Sequence, residues 1–230
     1  MSTVITNINS RQVYENAVSL LANYLGITPS EVVRQYRPGP AAIRGEVAMS
    51  TSTTSYTIPI RTTDAGASTF NTNILVQQQD IFVASEIGIF VAKPSSATDT
   101  TFNLLSYPDP VTFSSSNTAT SLNSLYNGFA RVTINNETAI ANWDLFKHRV
   151  APITQAASNA GYTSSGVTTV PSIDGSSMGF HPVEPNLVLS GAANIQFQLN
   201  LPAAIAAIES NSRIVVVQRG ILLQNATSVR

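Results

Sequence analysis

Two strand-like segments joined by Asn135-Asn136 constrain the fold of this chain more than any other feature. Residues 128–134, GFARVTI, and 137–141, ETAIA, alternate between apolar and polar side chains in the two-residue period of a β-strand. Asn adopts a positive φ unusually readily for a residue with a side chain, so an Asn-Asn pair between two such segments indicates a two-residue hairpin loop. The pattern therefore predicts an antiparallel hairpin.

Segments of similar character run along most of the chain. We predict further strands at 43–50, 54–61, 73–79, 82–92, 101–105, 186–190, 193–200 and 213–224. Because most pairs have no helix between them and the connections are uneven in length, we expect a mainly β fold, an antiparallel jelly-roll or Greek-key β-sandwich. Pro59 indicates an edge strand, and Gly88 and Gly220 indicate bulges or sharp coiling.

Two short helices are predicted ahead of the strands. Apolar side chains from Val13 to Tyr24 share one helical face. Thr28 to Glu31 form a capping box with proline at the first helical position. Proline and glycine from residue 38 onward end the second helix. The two helices are expected to form a hairpin that packs on the β domain or on a neighbouring subunit.

No linker or repeat divides the rest of the chain. We therefore predict a helical arm over 1–40 and a single β-sandwich domain over 41–230. Short helices are expected at 119–126 and 202–209. The longest connection, 156–180, is rich in Ser, Thr and Gly, and a loop of this length in a compact domain is usually functional or held by a partner.

The charge content limits the classes of function. Charged residues make up 11% of the chain, against about 25% in an average soluble domain. The formal net charge is −1 and the arginines are scattered, so we expect no direct contact with nucleic acid. We also expect no membrane span and no secretion signal, and hence synthesis in a host cytoplasm. Uncharged polar surfaces cost less to desolvate than ionic ones, which suits permanent contact between subunits.

Motifs for catalysis and metal binding are weak. The segment 175–179, GSSMG, matches a nucleophile elbow around Ser177, but no apolar strand precedes it and two prolines follow where a helix should begin. With no cysteine and only His148 and His181, the chain has few ligands for a metal ion. We predict no enzyme activity, no cofactor and no metal. If His148 is buried, we expect it to respond to pH.

Contact residues are expected in two groups besides the 156–180 loop, because Trp, Tyr and Arg dominate the hot spots of interfaces. The first group, in the helical arm, is Tyr14, Tyr24, Arg34 and Tyr36. The second group, in the segment WDLFKHR, is Trp143, Phe146, His148 and Arg149. Packing within the same subunit is the alternative for both groups.

Four short segments carry a likeness to a known class of proteins. They are Tyr126-Asn127-Gly128, Val132-Thr133-Ile134-Asn135-Asn136, Asn142-Trp143-Asp144-Leu145 and Arg219-Gly220-Ile221-Leu222-Leu223. With the capped helical start, they make the chain resemble bacteriophage virion structural proteins, more narrowly single jelly-roll capsid or capsid-associated proteins. The likeness covers about 75–224.

This resemblance implies a protein of the virion that assembles with copies of itself and with other virion proteins, and that has no catalytic residues. The basic arm of many coat proteins is missing here, which leaves room for a decoration or minor shell role. The alternative is a carbohydrate- or receptor-binding β-sandwich, such as a fibre tip or an adhesin module, which would contact glycans.

Overall fold

The computed structural model describes residues 8–64, 75–99, 102, 104–105, 123–149, 179–205, 208 and 210–226. Two four-stranded antiparallel sheets pack face to face in this part of the chain. The strands are β1 (Gly39–Ala48), β2 (Ser55–Ile58), β3 (Ile81–Ala92), β4 (Phe129–Ile134), β5 (Glu137–Asp144), β6 (Phe180–Ser190), β7 (Ile195–Asn200) and β8 (Arg213–Leu223). The helices are α1 (Ile8–Leu25), α2 (Pro29–Tyr36) and α3 (Asn123–Tyr126), with 3-10 turns at Thr62–Asp64 and Phe146–His148.

The strand order follows one nested pattern. Sheet one has the order β1-β8-β3-β6 and sheet two the order β2-β7-β4-β5. The central hairpin pairs β4 with β5, and the flanking pairs are β3 with β6, β2 with β7 and β1 with β8. The predicted antiparallel sandwich is confirmed.

The local signals in the sequence form the predicted structures. Asn135 and Asn136 have φ angles of 51° and 67° and join β4 to β5. Thr28 caps α2, since its side chain accepts a hydrogen bond from the backbone N–H of Glu31 while the Glu31 carboxylate accepts one from the N–H of Thr28. Arg37 ends α2 in a left-handed conformation.

The core lies between the sheets and follows the alternation of each strand. In β7, Ile195, Phe197 and Leu199 are buried while Gln196 points outward. The same alternation in β2 buries Ile58. Both strands therefore have one apolar and one polar face.

The helical arm covers the outer face of sheet one. Ala17, Val18 and Leu21 of α1 are buried in a second apolar cluster with Val83 and Ile221 of the sheet. The arm therefore packs on its own β domain. No helix in the described part of the chain is long and apolar enough to span a membrane.

Several predicted elements differ from the structure. The strand at 73–79 is wrong for its described part, because Val76 makes only an isolated bridge with Arg61. The helix at 202–209 is wrong for 202–205, which contain no helix. The bulge predicted at Gly88 is also misplaced, since Gly88 pairs in regular register with its neighbours on both sides. The register shifts instead between Ala84 and Glu86.

Gly220 lies beside this shift, opposite Ala84. A Cβ atom at Gly220 would overlap the carbonyl oxygen of Val83, so the close approach of the two strands requires glycine there. Pro59 follows β2, which is an edge strand as predicted.

β6 begins at Phe180, six residues before the predicted strand at 186–190. This stretch contains two prolines, which β6 tolerates because it is an edge strand, where a missing N–H donor leaves no partner unpaired. Of the predicted strand at 101–105, Leu105 bridges Val91. Of the loop at 156–180, only Gly179 and Phe180 are described. The rest of that loop, including Ser177, lies outside the described residues.

Candidate functional site

The outer face of sheet two carries ten side chains that are exposed or half-buried, and we call it the open face. Its members are Ser55, Thr57, Phe129, Arg131, Thr133, Thr138, Asp144, Gln196, Gln198 and Asn200. Two of these ten are ionisable, and their charges are opposite. The open face is therefore polar but close to neutral, in contrast to the outer face of sheet one, which α1 and α2 cover.

Rows of side chains cross all four strands of the open face. One row joins Ser55, Asn200, Phe129 and Asp144 through the register of the sheet. The hydroxyl of Ser55 donates to Oδ1 of Asn200 at 3.1 Å. Phe129 lies inside this row with 39% of its surface exposed, and it is the one large apolar residue of the open face.

The open face has about half the area that one partner in a stable interface buries. Four strands spaced by about 4.8 Å and about six residues at about 3.4 Å each span about 400 Å². A standard interface buries about 800 Å² per partner. An interface centred on the open face therefore needs further residues from its borders.

The predicted contact residues of the second group lie at the β5 border of this face. The indole N–H of Trp143 donates to Nε2 of His148 at 2.8 Å. Nδ1 of His148 lies 3.3 Å from the carbonyl oxygen of Gly179, at the start of β6. Because an indole nitrogen only donates, Nε2 of His148 accepts, and the ring is neutral with its proton on Nδ1.

Burial controls the protonation of His148. The ring is fully buried, and its edge meets the ring of His181 at 4.8 Å between centroids. The pKa of His148 is lowered to about 3, mainly by burial and also by the nearby His181 and Lys147, while the bond to Gly179 acts in the opposite direction. His148 therefore joins the 3-10 turn to β6 as a neutral group.

The exposed side of this segment is aromatic and cationic. The ammonium group of Lys147 lies 3.1 Å from the centroid of the Trp143 ring, a cation–π contact. Partial burial lowers the pKa of Lys147, and the charge of Asp144 opposes this shift. Phe146 is 56% exposed, and its backbone N–H donates to Oδ1 of Asp144 at 3.0 Å. Arg149 is also exposed.

The first group of predicted contact residues lies on the other side of the sandwich. Tyr14 and Tyr36 are half-buried against the cluster between α1 and sheet one. Tyr24 and Arg34 are exposed. The structure therefore does not bring the two groups together. We also omit His148 from the contact surface, because its ring is buried within the subunit.

Sequence reasoning missed Phe129 as a contact residue. The signal was present in the hairpin, because Phe129 occupies an outward position of β4 in the same alternation that buries Ala130 and Val132.

Arg44 and Arg213 belong to a buried group of ion pairs around Glu46. Arg213 is 1% exposed, and its Nη1 donates to Oε2 of Glu46 at 3.0 Å. The other guanidinium end of Arg213 donates to the carbonyl oxygen of Ala97 at 2.6 Å. Arg44 pairs with the second oxygen of Glu46 at 2.7 Å. The guanidinium groups of both arginines also lie over the ring of Phe102. These contacts hold the loop at Ala97 against the outer face of sheet one.

Among the described residues, no three His, Cys, Asp or Glu side chains come together as metal ligands. The fold defines the class of the protein as an antiparallel β-sandwich, with eight strands in the described residues and one face covered by helices. Comparisons with protein-family models, with curated proteins and with solved structures found no match for this chain.

Proposed function

We propose that this protein is a structural subunit of a bacteriophage particle, a capsid or capsid-associated protein that assembles with copies of itself and with other virion proteins. The observation that carries this proposal is the open face, a neutral polar surface with Phe129 exposed within it. Such a surface loses little free energy when water is removed, because its groups are uncharged and can pair with a partner's polar groups.

The fold supports the proposal only by analogy. Jelly rolls occur in viral capsid proteins, in lectins and in cupins, so the strand order does not separate these functions. The argument therefore depends on the surface.

Neighbouring residues extend the open face towards the area of a stable interface. Phe146 follows Asp144 by two residues and is the most exposed large apolar residue in the described part of the chain. Trp143 and Arg149 border it, and residues of these types are frequent hot spots. Phe129 and Phe146 would be the two apolar anchors of this contact.

A second set of exposed apolar side chains, the arm patch, is spread over the helical arm on the opposite side of the sandwich. Val13, Tyr24 and Val33 of the helical arm are 37%, 43% and 44% exposed. The arm covers sheet one and the open face belongs to sheet two, so the two patches face in opposite directions. Contact between unlike patches of successive copies is heterologous and builds closed rings when the rotation closes. Rings of this kind are the units from which a shell is made.

A charge placed in the open face tests the proposal. Gln196→Lys adds a cation on the central strand β7, where assembly would have to desolvate it. Thr98→Lys adds the same charge to an exposed loop after β3. Arg213 of sheet one donates a hydrogen bond to the carbonyl oxygen of Ala97 in this loop. We expect Gln196→Lys to reduce assembly in sedimentation velocity runs while Thr98→Lys assembles like the parent protein. Equal behaviour of the two variants would contradict a role for the open face.

A further inference from the structure

A polar pocket of about 500 Å³ lies at the end of sheet one, between the residues before β3 and those after β8. It is lined by Gln77, Gln78, Gln79, Asp80, Gln224 and Asn225. Four of the ten glutamines of the whole chain thus border one pocket. This concentration of side-chain amides is not needed for the packing of the sheets, because the core between them is apolar.

Asp80 holds the walls of the pocket in place. Its carboxylate accepts a hydrogen bond of 3.0 Å from the backbone N–H of Asn225. This bond joins the wall formed by the residues before β3 to the wall formed by those after β8. The backbone N–H of Asp80 donates to the carbonyl oxygen of Gln77 at 3.0 Å, and its carbonyl oxygen accepts the N–H of Gly191 at 2.9 Å. A Cβ atom at Gly191 would overlap the carbonyl oxygen of Gln77, so these loops pack closely. The backbone of the pocket is therefore formed before any ligand arrives, which reduces the entropy cost of binding.

The chemistry of the lining selects one class of ligand. Each amide offers a carbonyl acceptor and an N–H₂ donor, and neighbouring hydroxyl groups of a sugar offer the same pair of functions. A phosphate would need cationic side chains, and none is present among the described lining residues. A calcium ion takes six to eight oxygen ligands with several carboxylates, whereas this lining has the single carboxylate of Asp80.

We propose that this pocket binds a neutral polyhydroxylated ligand, one or two sugar units of a glycan. Its volume lies within the about 300–1,000 Å³ that is usual for small-molecule sites. The pocket is at the end of sheet one and shares no lining residue with the open face of sheet two. A glycan pocket on a particle subunit would let the assembled particle attach to a polysaccharide-coated surface.

Saturation-transfer NMR on the full chain tests this site. The probes are glucose, galactose, mannose and N-acetylglucosamine, each added singly, with 1,4-butanediol as a hydroxylated molecule that is not a sugar. We expect transfer to at least one sugar and none to butanediol. Gln79→Leu with Gln224→Leu removes two amides at nearly constant volume and should weaken binding about tenfold, since a net hydrogen bond contributes about 0.5–1.5 kcal/mol.

Gln35→Leu is the matched control, because Gln35 is an exposed glutamine on α2, outside the pocket lining. It should bind the sugar like the parent protein. If the double Leu variant aggregates, Gln79→Ser with Gln224→Ser removes the same amides and keeps a polar surface. The proposal is overturned if no sugar shows transfer, or if the double variant at Gln79 and Gln224 binds as well as the Gln35→Leu control.

Discussion

The indole N–H of Trp143 donates a 2.8 Å hydrogen bond to Nε2 of His148, and the ring of His148 is fully buried. This bond requires a neutral imidazole. A residue predicted from sequence as a possible contact between subunits therefore belongs to the interior of the subunit. Its protonation is linked to the stability of the fold.

Acid should destabilise the protein through His148. Its pKa is about 3 in the folded state and about 6.5 in an unfolded chain, so the unfolded state binds more protons between these values. The stability that the neutral ring contributes is complete above about pH 6.5 and is lost as the pH falls towards 3. At pH 5 we expect a loss of about 2 kcal/mol, at about 1.4 kcal/mol per pH unit.

Urea unfolding at pH 7.5 and pH 5.0 measures this loss. The control is His148→Gln, which cannot ionise in this range. Its free energy of unfolding should fall less between the two pH values than that of the parent protein, because the contribution of His148 is removed while the other ionisable groups are the same in both proteins. Identical pH dependence in the two proteins would show that His148 is not the titrating group.

Removing the indole donor should cost stability and couple to His148. Trp143→Phe leaves Nε2 of His148 buried without a donor, and an unsatisfied buried polar atom costs about 1–3 kcal/mol. In the double variant with His148→Gln, part of this cost should disappear, because the unpaired ring nitrogen is gone. A double-mutant cycle in urea measures the coupling. Strictly additive effects of the two substitutions would contradict the hydrogen bond.

The two carboxylates Glu46 and Glu86 should differ strongly in their contribution to stability. Glu46→Gln leaves the buried guanidinium of Arg213 without its counter-charge, and breaking a buried ion pair costs about 3–5 kcal/mol. Glu86 lies 4.0 Å from Arg219, and both side chains are more than a third exposed. Glu86→Gln is therefore the matched control, with an expected cost below about 1 kcal/mol. Similar midpoints for both variants in chemical unfolding would contradict the claim that Arg213 depends on Glu46 as its buried counter-charge.

The strand contact at Gly220 should not tolerate a methyl group. A Cβ atom there would overlap the carbonyl oxygen of Val83 on the paired strand, so Gly220→Ala must move backbone. We expect a loss of about 1–3 kcal/mol, as for other overpacked sites. Gly39→Ala serves as the control, because a Cβ atom at Gly39 would meet no atom within 4 Å. An unchanged melting temperature in Gly220→Ala would show that the strands at Gly220 and Val83 are farther apart than described above.

The parts of the fold that depend on local interactions could be predicted from the sequence. The turn at Asn135-Asn136 and the capping box at Thr28 are set by a few neighbouring residues, and both are present. The partition of strands into two sheets depends instead on pairs far apart in the chain, such as Gly39 with Leu222. Alternation shows that a strand has a buried face but does not identify its partner.

Two errors have specific causes. Val76 lies in an apolar-polar stretch typical of a strand, but Gln77 begins the turn that leads into β3. The first half of β6, which contains Pro182, was not predicted as a strand. Proline is tolerated at the edge of a sheet, and which strand lies at the edge depends on the whole sheet.

The candidate site was predictable in part. The sequence placed Trp143 and His148 close together, but five residues of separation cannot show that the histidine ring points inward. Phe129 was overlooked because its exposure depends on which face of sheet two remains uncovered. That face is known only once the helical arm is seen to pack on sheet one.

The self-association of the purified full chain tests the central claim most directly. Sedimentation velocity across a concentration series, with negative-stain electron microscopy of the same samples, reports the size of any assembly. We expect discrete assemblies of many copies, whose share of the protein rises with the concentration, because two different contact surfaces let each copy bind two others. A single monomeric species at every concentration, with no particles in the images, would contradict the proposal that this protein functions by assembling with itself.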